Sequence, residues 1–177
     1  GSTGYLQWYG NFANSKIPTL MKWDWMQNDV EGQWNVTLDE SHDVTIGGNV
    51  RIIRLDTERS DSQDLVYPGE PYDEQFAGAF LIDRWKLNDR WTLEGQLRGD
   101  WYSETHADWA TRLTALYVMD RQKNHMLRFS GAKAFRTPFM STREVTTHRL
   151  PLGGPLYAFN VEPADDLKNE EVYAVEA

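Results

Sequence analysis

Between residues 91 and 102 hydrophobic and polar positions alternate without a break. Trp91, Leu93, Gly95, Leu97, Gly99 and Trp101 share one parity, and Thr92, Glu94, Gln96, Arg98, Asp100 and Tyr102 share the other. A period of two belongs to an extended strand with unlike faces. The same period recurs along the chain, whereas the 3.6-residue period of an amphipathic helix is poor almost everywhere. In the stretch 29–38, Val30, Gly32, Trp34, Val36 and Leu38 alternate with polar residues; in 42–55, Val44, Ile46, Gly48, Val50 and Ile52 fall on one face. Further strands are predicted over 4–13, 75–87 (apolar on both parities at its start), 109–121 and 125–135, with a last one beginning near Glu171. The expected fold is therefore all-β, an antiparallel up-and-down meander of about eight strands.

The connections add an asymmetry. Short links are expected at 39–41, at Asn88-Asp89, a two-residue hairpin turn, and around 122–124. Longer loops are expected near 14–28, 56–74 and 136–170, with a shorter one at 103–108. In an antiparallel meander alternate connections lie at opposite ends, so the short turns gather at one end and the longer loops at the other. Transmembrane β-barrels have this arrangement, and predicted runs of this length match the ~9–11 residues that cross a bilayer at a tilt.

Composition narrows the readings. The chain of 177 residues carries a net charge of −9, and its basic residues are scattered. Phosphate backbones need clustered basic surface, so nucleic acid is not an expected partner. There is no cysteine, which excludes disulfides and thiolate metal sites. No apolar run approaches the ~20 residues of a membrane helix. Eight Trp and eight Tyr nevertheless accompany a mean hydropathy of −0.65. Strands with one face on lipid and one on water give that combination; so does a soluble Trp-rich β-sandwich that binds carbohydrate.

The stretch 131–139, GAKAFRTPF, ends a predicted strand in Ala134-Phe135-Arg136-Thr137-Pro138. A loop follows, then Leu167-Lys168-Asn169-Glu170, which opens another strand ending in Glu176. With the upstream hairpin LNDRWTLEGQLRGDWY, this set resembles the barrel of TonB-dependent outer-membrane receptors over roughly residues 75–177. Asn169 stands where that family more often has proline. The resemblance implies the bacterial outer membrane, contact with outer-membrane lipid, uptake of a ferric siderophore or another scarce small-molecule nutrient, and no covalent chemistry. It also implies a barrel of 22 strands around an N-terminal plug that engages TonB. No plug is found in 1–177, so the chain is expected to be a partial β-barrel domain, a middle section of a larger transmembrane barrel. A complete small eight-stranded barrel remains an alternative, since that number can close.

Catalytic signatures are missing. His42, His106, His125 and His148 are dispersed, and no Gly-x-Ser-x-Gly, phosphate loop or dinucleotide fingerprint occurs. No cofactor is expected. His106 and Asp108 are close in sequence, but two possible ligands at that spacing are common by chance. Arg136 and Pro138 have a structural reading: proline ends a strand because it cannot donate to the ladder, and Arg136 pairs or snorkels at the rim. Two loop features are candidate ligand contacts. Trp23 and Trp25, expected in an external loop, suit stacking on a sugar or an aromatic chelate, or else packing on neighbouring loops. The acidic loop 56–74 contains Asp61 and Asp64, which suit a divalent cation, or else form a solvated charge run.

Overall fold

The computed structural model describes residues 1–17, 21–58, 65–66, 71–120, 122, 125–138, 146–147, 150–151, 157–158 and 167–177. Eight long strands form one antiparallel sheet: β1 Ser2–Ile17, β2 Met21–Thr37, β3 His42–Glu58, β4 Tyr72–Lys86, β5 Trp91–Tyr102, β6 His106–Val118, β7 Met126–Arg136 and β8 Glu170–Glu176. Each pairs with its neighbour in sequence, in strict order from β1 to β8. Two further ladders of two residues each join Leu65–Val66 to Thr146–Thr147 and Leu150–Pro151 to Tyr157–Ala158. The described residues contain no helix. The eight long strands share a single sheet, so they do not form the two facing layers of a sandwich. Nor do they close a small barrel on themselves, because β1 and β8 are not paired to each other.

Register carries the alternation of β5 across the sheet. Leu97 faces Leu81 on β4 and Thr111 on β6, and Leu81 faces Ile46 on β3, which faces Trp34 on β2. Arg98 likewise faces Phe80, which faces Gly47. The register thus gathers mostly apolar residues on one side and mostly polar ones on the other, and a slip of one residue would reverse them. The polar side is the more enclosed: Asp29, Tyr102, Thr114 and Ser130 are buried there, while Leu97 on the other side is 53% exposed. The sheet thus curls around its polar face. Trp91 and Trp101 lie about 33 Å apart along β5 at ~3.3 Å per residue. At a tilt of about 40° that gives the ~25 Å height of the apolar band of an outer-membrane barrel.

Aromatic side chains edge the apolar face. Trp85, Trp91 and Tyr117 stand at the short-turn end, with the Trp91 and Tyr117 rings 4.7 Å apart; Trp101 and Trp109 stand at the other. The short turns fall where the sequence places them. Leu38 donates to the His42 carbonyl and Leu87 to the Trp91 carbonyl, closing the links between β2 and β3 and between β4 and β5.

One expected loop is corrected. Residues 14–28 do not form a long external loop: β1 runs to Ile17 and β2 starts at Met21, paired without interruption from Ser2↔Val36 to Ile17↔Met21. This hairpin and β3 project beyond the apolar band, so the contrast between short turns and long loops rests on the connections 59–71 and 137–169. The loops expected near 56–74 and 136–170 are trimmed at their ends, since β3 extends to Glu58 and β4 starts at Tyr72. Asp61 and Asp64 lie outside the described residues.

Candidate functional site

The enclosed polar face is built by cross-strand register. Asp29 on β2 is opposite Tyr9 on β1 and Arg51 on β3. Its carboxylate is 1% exposed, accepts from the Arg51 Nε, and lies 3.4 Å from the Gln27 amide; its other oxygen has no protein partner. Burying a carboxylate costs free energy unless it is paired in this way. One strand further, Phe76 and Tyr102 stack with ring centroids 4.1 Å apart, and Tyr102 is 3% exposed.

Below them Arg98 forms a fork. Its Nε donates to Asp100 Oδ2 at 2.6 Å and its Nη2 to Asn49 Oδ1 at 3.1 Å, tying β5 to β3 across the width of β4. The strand between has Gly78 at the crossing point. A Cβ on Gly78 would lie 2.2 Å from Asp100 Oδ1 and 2.7 Å from Arg98 Nη2, so the fork needs a residue without a side chain there. Next to the fork a groove of about 520 Å³ is lined by Phe80, Ile82, Gln96, Arg98, Arg112 and Ala132. On its far side Arg112 Nη2 reaches Glu176 Oε2 at 3.2 Å, and Ser130 donates to the same oxygen at 3.0 Å. The face thus offers fixed hydrogen-bonding groups, aromatic rings and charges of both signs. It contains no nucleophile–base pair and, among the described residues, no group of three acidic or histidine side chains placed to hold a metal.

Trp23 and Trp25 are on this same parity of β2, beyond Gln27 and toward the long-loop end. Trp25 is opposite Ala13 and Leu55, and Trp23 is opposite Ser15. They are half-buried strand residues rather than loop residues. The register brings them onto the face that carries Asp29 and Arg51. Sequence reasoning missed the Arg98–Asp100–Asn49 fork and the Asp29–Arg51 pair. The parity of each residue was readable, but which residues meet across strands was not.

Two sequence features take structural roles. Arg136 Nη2 pairs with Glu170 at 2.8 Å, joining β7 to β8 at the rim. His106 is the first residue of β6, with φ of 63°, and Asp108 bonds Lys133 and Asn169. Lys133 is the exception to the apolar outward parity of β7. It is 8% exposed, its Nζ lies 2.8 Å from Glu171 and 3.3 Å from Asp108, and it sits 4.3 Å from the Trp109 ring centroid.

The family model for "TonB dependent receptor-like, beta-barrel" matches residues 1–177, the whole chain. The chain belongs to the TonB-dependent receptor β-barrel family. This is a family of receptors for transport and not of enzymes. Among solved structures, the siderophore receptor PirA from Pseudomonas aeruginosa is similar in fold, with a TM-score of 0.65 at 14% sequence identity. The likeness covers 96% of this chain and 35% of that receptor, so the chain spans about a third of its length. No curated protein matches it in sequence. In a TonB-dependent receptor barrel the apolar parity is the outward face and the enclosed polar parity is the lumen wall. Trp91, Leu93, Leu97 and Trp101 belong to the former, and Arg98, Asp100, Asp29 and Arg51 to the latter.

Proposed function

We propose that this chain forms part of the wall of a bacterial outer-membrane receptor that takes up a ferric siderophore or another scarce nutrient. On this reading the outward face contacts outer-membrane lipid. The lumen face guides ligand past a plug segment, and TonB supplies energy by engaging that plug. The observation that carries the reading is the whole-length family match on a sheet whose two parities divide into apolar and polar. The fold likeness to a siderophore receptor supports the nutrient class. Trp23 and Trp25, at the long-loop end of the lumen face, are the proposed first aromatic contacts for ligand. Asp61 and Asp64, in the acidic connection beyond β3, are proposed to draw a cation to the entrance.

The test uses the full-length protein in its native envelope. Deleting its gene is expected to abolish growth on one ferric siderophore or comparable nutrient as sole source, and loss of TonB is expected to have the same effect. A full-length protein recovered in the aqueous fraction without detergent, or uptake of every candidate nutrient unchanged by the deletion, overturns the reading.

A further inference from the structure

Asp83 interrupts the outward parity of β4. Between Ala77 and Trp85 that parity reads Ala77, Ala79, Leu81, Asp83, Trp85, and it faces Trp101, Gly99, Leu97, Gly95 and Leu93 on β5. A carboxylate beside the apolar band costs free energy unless something answers it. The structure supplies part of the answer. His42, the first residue of β3, holds both oxygens through Nδ1, at 3.0 and 3.1 Å, and its ring stacks on Trp85 with centroids 5.3 Å apart. The group lies at the short-turn end, where Lys86 donates to the Ser41 carbonyl. Asp83 nevertheless keeps 39% of its side chain exposed.

The space beside it is open. Gly95 is directly opposite Asp83, and a Cβ built on Gly95 meets nothing within 4 Å. The outward face is therefore open at Gly95, with the Asp83 carboxylate across the ladder and Leu93 and Leu97 two residues away on either side along β5. His42 Nδ1 answers only part of the carboxylate, and the exposed remainder can accept further N–H donors. Such an acceptor at the aromatic edge of an apolar band fits a primary ammonium group that arrives attached to hydrocarbon.

We propose that Asp83, held by His42 and facing Gly95, forms a binding site for the headgroup of phosphatidylethanolamine, whose ammonium donates to Asp83 while its acyl chains lie along the apolar face. The proposal rests on the membrane reading above. It goes beyond general lipid contact by requiring N–H donors, which phosphatidylcholine lacks.

The full-length protein is reconstituted into nanodiscs made from an equal mixture of phosphatidylethanolamine and phosphatidylcholine, and the lipid that remains bound after extraction is counted by native mass spectrometry. Loss of one charge-assisted hydrogen bond corresponds to about a tenfold change or more, so Asp83→Asn is expected to lower the retained ratio of ethanolamine to choline lipid about tenfold. Gly95→Leu places a side chain in the space opposite Asp83 and is expected to lower it similarly while the protein stays folded. Equal ratios in wild type and both variants, or no preference for the ethanolamine lipid in wild type, overturn the proposal. In either case the wild-type protein is still embedded in the disc, which sets the result apart from failure of the membrane reading, where the protein stays out of the bilayer.

Discussion

Arg51 donates through its Nε to Asp29 directly across the β2–β3 ladder, and the carboxylate it serves is almost wholly enclosed by the curl of the sheet. The two residues are unequal: Arg51 keeps about a third of its side chain in the open, while Asp29 has nearly none. Removing the arginine therefore does more harm than removing the pair. Arg51→Met leaves a buried carboxylate uncompensated and is expected to cost about 3 kcal/mol. The double variant Asp29→Leu, Arg51→Met is expected to recover to within about 1 kcal/mol of wild type. Urea midpoints of the full-length protein in micelles check this, and equal losses in the single and double variants would refute it.

The assignment of faces has its own test in two adjacent residues. Leu97 is on the outward parity between Trp91 and Trp101, and Gln96 is on the lumen parity. Arginine in the middle of a lipid face costs about 2–4 kcal/mol, whereas lumen positions tolerate charge. Leu97→Arg is expected to show that loss in folding titrations into lipid vesicles, and Gln96→Arg less than about 1 kcal/mol. The opposite ranking would mean that the two faces have been exchanged.

Asp39, in the turn between β2 and β3, accepts backbone N–H groups from Ser41 at 2.7 Å and His42 at 2.9 Å, which hold its pKa below the ordinary carboxylate value. A carboxyl group whose pKa is lower folded than unfolded stabilises at pH above the unfolded value and loses that contribution as pH falls through the folded one. Asp39→Ala is thus expected to lower the urea midpoint at pH 7, with the gap to wild type closing as pH falls below about 4. A gap that stays constant down to pH 2 would show that the charge on Asp39 contributes nothing to the turn.

Trp25 supplies the test of ligand contact. An aromatic contact of this kind contributes about 0.5–1.5 kcal/mol beyond area burial, so Trp25→Ala is expected to weaken ligand binding roughly three- to tenfold. Trp101→Ala, on the outward face, is expected to leave affinity unchanged. Intrinsic fluorescence titration with a nutrient that the proposed function identifies separates them, and equal effects would remove Trp25 from the proposed contacts.

Most of the wall was legible in the chain because period two is a property of single strands. The run Trp91 to Tyr102 defined its two faces with no knowledge of its neighbours. What the chain did not disclose was reach. Asn14, Ser15 and Lys16 are weak strand formers, yet they are held in β1 because each has a partner at Asp24, Trp23 and Lys22. Trp23 and Trp25 were legible as residues of one parity, but their position on the lumen side follows from counting back through Gln27 to Asp29. The fork of Arg98 depends on Gly78, on the strand that separates Arg98 from Asn49, a relation that exists only once three strands are in register.

The strict β1-to-β8 order has a consequence for how such a wall is made and altered. Each long strand docks on the long strand synthesised just before it, so the eight-stranded sheet can assemble as a run of hairpin closures. Doubling the length of a connection raises closure cost by only ~0.6 kcal/mol. Outside the short ladders they contain, the stretches 59–71 and 137–169 can therefore be lengthened at little closure cost, while the pairs that bound them, Leu55↔Tyr72 and Arg136↔Glu170, stay in place. A wall of this kind can vary in its connections while its staves stay as they were.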